Sequence, residues 1–572
     1  MDTDVKRTKF IKRVSFICLL LHWAVLLGDV TRADDQHVIV STASGQVRGV
    51  VVDGGLEQRV NKFMGIPYGK SPTGPRRFAK PEAADSWQGV RDATAPSPQC
   101  PQIDPLDRSD GPPMDEDCLN LNVFVSVVSA DGLPVVSADR LPVMVWIHGG
   151  SFYFGTGAKF DGAPLARKGV VVVTVNYRLD AMGFLSTEDD VIAGNFGLLD
   201  QILALHWVQR NIQYFGGDAG HVTVFGESAG GACVALLVLS PLASGLFHNA
   251  IVESGSSLAF WTLSYPANQP KAQDIARLVG DKVNCTQPDS DGFLVCMRGV
   301  EAGRIINASH DVRTNAGYDV MFIPRVETVY RVIPDLPLNL LLTGRLNHVH
   351  TIRGYNTHEA WYFLDNTTEE TTREGFRQNL MGVLSPFNIP NILDLLNHYE
   401  DVYLGNTTDR KYIQRQLLAA LSDTVFIVPT VQEILLESRA SPNHQHYLYE
   451  FRYKKSVSAL PDWVHAVHGD EVPFVFHAFG SHFFWPEGRG ATQNDTDVSE
   501  LMMALWTNFA RFRDPTHNGT AVTWEPLTTS HLNLLRVDVP PMSTVYQDGG
   551  TRDLYSKLLR ELMSVTPNTV VG

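Results

Sequence analysis

Basic residues are in short supply. Lys and Arg number 47 against 62 Asp and Glu, for a formal net charge of −15. A nucleic-acid binder needs a basic face, so that class is set aside. The acid excess serves solubility and would also draw cations to the surface. Cysteine is scarce, at 6 residues in 572. That excludes a small disulfide-stapled scaffold and leaves a hydrophobic core to hold the chain together. With 44% apolar and 19% charged residues, the chain can build such a core and is not of the disordered type. There is no internal repeat and no linker long enough to separate domains. A length that alone suggests about three or four domains therefore reads better as one large domain, residues 34–572.

Long hydrophobic runs are also lacking, save one. "VSFICLLLHWAVLL", Val14 to Leu27, has 14 residues, short of the ~20 that span a bilayer. Lys6, Arg7, Lys9, Lys12 and Arg13 precede it, and Thr31–Ala33 supplies small residues suited to cleavage. Residues 1–33 are expected to be a cleaved secretory signal, with a secreted, extracellular product and no stable membrane anchor. No other stretch reads as apolar enough to cross a membrane. The closing "TPNTVVG" has neither a GPI-type tail nor a retention tetrapeptide. Sequons at Asn284, Asn307, Asn366, Asn406, Asn494 and Asn518 suit export. Cys18 lies in the signal, which leaves Cys100, Cys118, Cys233, Cys285 and Cys296. Cys233 sits in an apolar run and is expected to be a buried thiol. The other four allow three pairings; Cys100–Cys118 and Cys285–Cys296 are preferred because they close short loops.

What is present alternates between strand and helix. "HVIVSTASGQVRGVVV" reads as a hairpin with a Gly turn. "LPVMVWIHGG" and "GVVVVTVNYR" are continuous apolar runs, the pattern of strands buried on both faces. "NFGLLDQILALHWVQRNIQYFG" carries helical spacing at Leu198, Leu199, Ile202, Leu203 and Trp207. "HVTVF" follows as a strand, then an apolar helix. This order means an α/β fold with a parallel sheet. Beyond about Pro266 the reading turns helical and irregular, and "HVHTIRGYN" and "HQHYLYEFRY" rejoin as strands. "RDLYSKLLRELMSV" has Leu554, Leu558 and Leu562 on one face. That helix either covers its own core or pairs with a second chain, so the protein is a monomer or a homodimer.

"VTVFGESAGGACVALLVL" places a serine between two glycines where strand becomes helix. A corner this tight strains its central residue and crowds the positions two before and two after, here Gly226 and Gly230. The strain lifts the Ser228 hydroxyl to the carboxyl end of the strand, where open α/β sheets bind ligands. G-x-S-x-G alone is weak: 46 glycines in 572 residues, with serine at ~7%, give about a quarter of a chance match. The strand before it and the helix after it strengthen the reading. A nucleophilic serine needs a base, an acid that orients the base, and N–H donors for the developing oxyanion. "WIHGGSF" offers donors at Gly149, Gly150 and Ser151, and Ala229 offers another. "HAVHGDEVPFVF" offers His465 and His468 as bases.

These segments together resemble the type-B carboxylesterase/cholinesterase family of α/β-hydrolases. The likeness runs from about Val38 to Met563. It rests on "FMGIPYG", "DEDCLNLNVFV", "WIHGGSF", "VNYRLDAMGFL", "GNFGLLDQILALHWVQRNIQYFGGD", "VFGESAGG", "HGDEVPFVF" and "LWTNFARFRDP". The resemblance implies an α/β-hydrolase fold, a large, mostly parallel sheet flanked by helices. It implies acyl transfer from a small-molecule ester, with neither a metal nor an organic cofactor. "GYNTHEAWYF" makes Glu359 the matching acid, with His358 where many members carry an acidic residue. Position before the "FVF" strand makes His468, not His465, the matching base. Glu227 and Ser254 fall behind the triad. Phe152, Trp261, Tyr362 and Phe363 match pocket positions, and both short-loop cysteine pairs match family disulfides. Ser151 stands where the family often has glycine or alanine. In cholinesterases a tryptophan in the first disulfide loop faces the choline; the Cys100–Cys118 loop has no aromatic residue. A carboxylesterase of uncharged esters is therefore expected. The alternatives are a choline-ester hydrolase and a non-catalytic adhesion-type member. Activity should fall in acid around the ordinary imidazole pKa of ~6.5.

Overall fold

The run Leu141–Ile147 sends Val143, Val145 and Ile147 into one core cluster and Met144 and Trp146 into another. A strand buried on both faces belongs mid-sheet, with helices on either side. The computed structural model describes residues 36–53, 59–105, 111–126, 140–264, 271–316, 322–364, 370–385, 389, 391–480, 485–486, 488–517, 520, 522–528 and 531–564. The expected signal, the sequons at Asn366 and Asn518, and the side chain of Leu562 lie outside these residues.

One sheet contains 13 strands. They are β1 (Gln36–Ser41), β2 (Gln46–Asp53), β3 (Arg59–Pro67), β4 (Val90–Asp92), β5 (Asn120–Ser126), β6 (Leu141–Ile147), β7 (Val171–Val175), β8 (Gly217–Glu227), β9 (Asn249–Glu253), β10 (His350–Asn356), β11 (His446–Phe451), β12 (Asn533–Val537) and β13 (Met542–Val545). Across the sheet the order is β1-β2-β3-β5-β7-β6-β8-β9-β10-β11-β12-β13, with β4 beside β2. From β7 to β12 every neighbour pair is parallel. The hairpin β1–β2 and the other outer pairs, β2–β3, β3–β5, β5–β7 and β12–β13, are antiparallel. The helices used below are α1 (Asp180–Phe184), α2 (Phe196–Asn211), α3 (Ala229–Leu239), α4 (Ala302–Ala316), α5 (Arg410–Ser422), α6 (Val428–Ala440), α7 (Val472–Val475), α8 (Gln493–Phe512) and α9 (Thr551–Ser564).

Helices cover both faces. α2 and α3 pack into the cluster that holds Val143 and Val145. α8 brings Met502, Leu505, Trp506 and Phe509 to the opposite one. There the Trp146 ring lies 4.9 Å from each of Phe160, Phe225 and Phe476. α3 is buried at every position, which is why its sequence is apolar all round. Leu554 and Leu558 of α9 are buried in the main core, so that helix covers its own fold. Cys100–Cys118 and Cys285–Cys296 are bridged, with Cα atoms 5.0 and 5.6 Å apart. Cys233 is free and buried. Asn284, Asn307, Asn406 and Asn494 are all exposed.

Two expectations need correction. Phe474–Phe476 is not a strand: Val472–Val475 is a helical turn with Phe476 as its C-cap and a proline in its first positions. Pro473 cannot join a ladder but is already set for a first helical turn. The continuous helix Arg410–Ala440 is long and apolar enough to cross a membrane, contrary to the sequence reading. The fold buries 83% of its apolar window, and it serves as a core element.

The sheet order positions the site. β7 and β8 lie on opposite sides of β6. Chain connections therefore diverge at the carboxyl ends of β6 and β8, which opens a crevice there. The opposite edge carries histidines. Val222 N donates to His248 Nδ1 at 3.1 Å, and Gln445 N donates to His350 Nδ1 at 3.0 Å. His446 joins Thr351 Oγ1 at 2.7 Å and the Ser441 carbonyl at 3.3 Å. Burial, with His444 adding to it, lowers His350 and His446 to about 4. In the unfolded chain such rings titrate near ~6.5. Their contribution to stability is full above that value and is lost as pH falls toward 4, because the unfolded state then binds more protons. The fall in Tm between pH 7 and 4.5 should be smaller for His350→Gln/His446→Gln than for the wild type. Equal falls would remove these rings from the account.

Candidate active site

Ser228 sits between β8 and α3 at φ 57, ψ −126. The glycines around it are required by contact. A Cβ on Gly226 would lie 2.5 Å from the Ile147 oxygen and 2.7 Å from the Gly230 carbonyl carbon. One on Gly230 would lie 2.1 Å from that same Ile147 oxygen. Gly149 presses on the same corner, where a Cβ would meet the Glu227 oxygen at 2.6 Å. Ser228 N donates to Glu253 O at 2.9 Å, which ties the corner to the end of β9.

Three chain-distant residues converge here. His468 Nε2 is 2.7 Å from Ser228 Oγ, and its Nδ1 is 2.6 Å from Glu359 Oε2. A carboxylate only accepts, so Nδ1 carries a proton and Nε2 is left to face the hydroxyl. Glu359 follows β10, and its other oxygen accepts from Ser254 Oγ and Asn356 N, each at 2.6 Å. Glu359 and Ser254 are fully buried, whereas 19% of the His468 side chain is exposed. His465 points elsewhere. Its Nε2 lies 3.2 Å from Arg452 Nη2, and its ring stacks on His358 at 5.7 Å. His358 Nδ1 accepts from His465 N, so the unusual histidine beside the acid braces this loop.

The surroundings are rich in buried acid. Glu227 Oε1 is 3.3 Å from His468 Nε2, within ion-pair range. Burial, with Glu359 adding, pushes the Glu227 carboxyl up to about 7, while His468 opposes. Glu253 is pushed to about 8, chiefly by burial, though Trp506 donates to it at 2.8 Å. Glu471 is raised by burial and by its acidic neighbours. For His468 burial acts downward, but Glu227 and Glu359 outweigh it and raise the imidazole to about 9. A general base must be neutral, so the acid limb of kcat/KM should lie above the ordinary value expected from sequence. Glu227→Gln removes one nearby negative charge and should move that limb down by roughly one unit. A pH–rate profile tests this, and an unmoved limb refutes it.

Backbone at Gly150, Ser151 and Phe152 is left-handed, at φ 112, 51 and 63. Among the described residues none accepts a hydrogen bond from the N–H of Gly150, Ser151 or Ala229. With Gly149, these are the donors expected for an oxyanion. Phe152 is buried, its ring 6.3 Å from Trp261. Trp261 lies 5.6 Å from Phe426, which lies 6.0 Å from Phe363 and 4.4 Å from His468. Phe426 was missed by sequence reasoning. It stands in the π-turn Asp423–Ile427 between α5 and α6, with no local signature beyond an apolar run. Tyr362 is 67% exposed and lies outside this ring cluster. Of the acids in the first disulfide loop, Asp104 is paired with Lys159 at 3.4 Å and Glu116 with Arg77 at 2.5 Å. Asp107 and Asp110 are outside the described residues. Among the described residues no three His, Cys, Asp or Glu side chains form a metal-holding group. A groove of about 500 Å³ among Leu338, Leu342, Leu435, Leu436 and Arg439 shares no lining residue with the site.

A serine raised by such a corner, on the carboxyl edge of this sheet order, defines an α/β-hydrolase. The chain belongs to the carboxylesterase family, whose sequence profile matches residues 36–552. It is 35% identical over 533 residues to the cocaine esterase of Homo sapiens, covering 89% of each chain. It is 35% identical over 542 residues to the pyrethroid hydrolase Ces2e of Rattus norvegicus, covering 91% of this chain and 90% of that protein. Neuroligin-2 of Mus musculus is 34% identical over 537 residues, covering 86% of this chain and 62% of that protein. The chain is a carboxylic ester hydrolase.

Proposed function

We propose that the protein hydrolyses uncharged small-molecule esters through an acyl-enzyme on Ser228. The observation that carries this reading is the unbroken hydrogen-bonded chain Ser228–His468–Glu359. His468 takes the proton as Ser228 attacks the carbonyl carbon. Glu359 holds the imidazole in its tautomer and offsets the charge it gains. The N–H groups of Gly150, Ser151 and Ala229 receive the oxyanion, each worth ~2.7–4 kcal/mol of barrier. The protonated imidazole then gives its proton to the departing alcohol. Water repeats the sequence on the acyl-enzyme and frees Ser228. The complete triad speaks against a non-catalytic adhesion-type role. The mature chain acts outside the cell, in keeping with an oxidised pair of disulfides and exposed sequons.

Relatives named for cocaine, a pyrethroid and acylcarnitine span unlike esters, so kinship selects no single substrate. The pocket walls do narrow the class. Phe152, Trp261, Phe363 and Phe426 present rings to an uncharged acyl or aromatic group. A quaternary ammonium is held best over a desolvated aromatic face, worth ~2 kcal/mol or more, and the first disulfide loop offers none. Purified protein should turn over p-nitrophenyl esters of graded acyl length. Its kcat/KM for butyrylthiocholine should stay within about a hundredfold of that for the uncharged thioester isostere. A larger choline preference would replace this reading with that of a cholinesterase.

A further inference from the structure

Left-handed backbone is costly for any residue but glycine. Three non-glycine residues adopt it side by side near the oxyanion donors: Ser151 at φ 51, Phe152 at φ 63 and Asp180 at φ 50. The loop that holds the first two is fastened at both ends. Tyr177 Oη donates to the His148 carbonyl at 2.7 Å. Gln102 accepts from Gly155 N at 2.7 Å and donates to Gly155 O at 2.9 Å. Between these anchors Tyr153 N and Phe154 N both turn back to Gly150 O at 3.0 Å. The apex is fastened by Asp180, whose N–H donates to Phe152 O at 2.8 Å.

Asp180 is an odd residue for that task. Glycine would take φ 50 at no steric cost, and a carboxyl only 4% exposed must be taken out of water. One of its side-chain oxygens is doubly engaged, however. Oδ1 accepts from Ala181 N at 2.8 Å and from Ser309 Oγ at 2.5 Å. The first bond holds Asp180 in its left-handed state, as short polar side chains can. Ser309 belongs to α4, and so does Arg313, whose guanidinium lies 3.5 Å over the Tyr153 ring. One helix therefore braces the loop twice, through Asp180 and through Tyr153. Backbone strain and a buried acid meet at a single residue, and strain of this kind gathers where function over-determines geometry.

We propose that Asp180 is a positioning residue that sets the oxyanion loop, so that Gly150 and Ser151 aim their N–H groups at the tetrahedral intermediate. The inference rests on the reading of Ser228 as nucleophile. Asp180 touches neither substrate nor reacting atoms; it acts through Phe152 O. Its bland alternative is a cap on the short helix α1. A cap would affect the amount of folded enzyme but not the turnover of each folded site.

The test uses the full-length enzyme, with active sites titrated by a fluorophosphonate. Asp180→Gly relaxes the backbone and removes the acceptor. Its kcat per titrated site should fall roughly ten- to a hundredfold, with KM changed by less than about threefold. The Ki of a trifluoromethyl ketone, which forms an oxyanion on the serine, should rise by the same factor. Asp180→Asn keeps Oδ1 as an acceptor and should retain most of the rate. Should Asp180→Gly yield no folded protein, Ser309→Ala is read by the same split. A wild-type kcat per site in Asp180→Gly, or in Ser309→Ala where it stands in, overturns the proposal, and so does an Asn variant as slow as the Gly variant. A wild type not labelled at Ser228 instead overturns the reading beneath it.

Discussion

Ser228→Ala should leave a folded protein whose ester turnover is lower by something on the order of a millionfold. The fold has little reason to respond. Alanine keeps the Cβ, and the corner is held by backbone: Ser228 N to Glu253 O, Ala232 N to Ser228 O, and the glycine contacts on Ile147. The hydroxyl's recorded partner is His468, which retains solvent access and need not be left stranded. The chemistry has every reason to respond. Without Oγ no acyl-enzyme forms, and the oxyanion donors alone sustain only the residual ~10³–10⁴ over water. Circular dichroism and Tm should match the wild type while steady-state turnover vanishes. Intact-protein mass spectrometry should find one fluorophosphonate adduct on the wild type, at Ser228, and none on the variant. Turnover surviving the substitution, or an adduct on another serine, sinks the assignment.

What the sequence made legible was local necessity. The glycines at 226 and 230 are forced by backbone within 2.1–2.5 Å of an added Cβ, which their spacing about the serine foretells; the crowding of Gly149 against the Glu227 oxygen at 2.6 Å was not foretold. Strand faces were legible for the same reason, since Val143–Ile147 alternates between two cores. What stayed hidden depends on tertiary approach. Phe426 reaches His468 because a π-turn interrupts one long helix, and nothing near it announces a site. Phe474–Phe476 illustrates the ambiguity of short apolar runs, which periodicity cannot assign; Pro473 decided it. The helix Arg410–Ala440 reads as a membrane span only to a window blind to its neighbours. Buried charge was equally invisible. Arg353 is enclosed in β10 with Glu437 at 2.6 Å and Glu433 at 3.2 Å, and in sequence each of these looks like surface. Glu253 and Glu471 share that fate, whereas Glu227 was placed behind the triad by resemblance, and it is Glu227 and Glu359 that move His468 away from ordinary imidazole behaviour.

His468→Gln should cost roughly 10⁴- to 10⁶-fold in kcat, whereas His465→Gln should cost less than about threefold. The two histidines are close in sequence and differ in what they face. His468 stands between Ser228 and Glu359 with both nitrogens engaged, at 2.7 and 2.6 Å. Glutamine fills much of the same volume but cannot take a proton from Oγ at any ordinary pH. His465 is lowered below the ordinary imidazole range by burial and then by Arg452. Its ring stacks on His358 at an 8° interplanar angle. Its loss loosens a brace and removes no proton acceptor from the reaction. The pH dependence separates chemistry from structure. In the wild type kcat/KM should fall in acid as His468 becomes charged, and because Glu227 and Glu359 raise its pKa, the fall should begin at a higher pH than for a free imidazole. His465→Gln should keep that limb where it is. His468→Gln should lose it, leaving a low rate without the imidazole's titration. A large loss from His465→Gln with the limb displaced, beside a mild one from His468→Gln, would transfer the base to the other histidine.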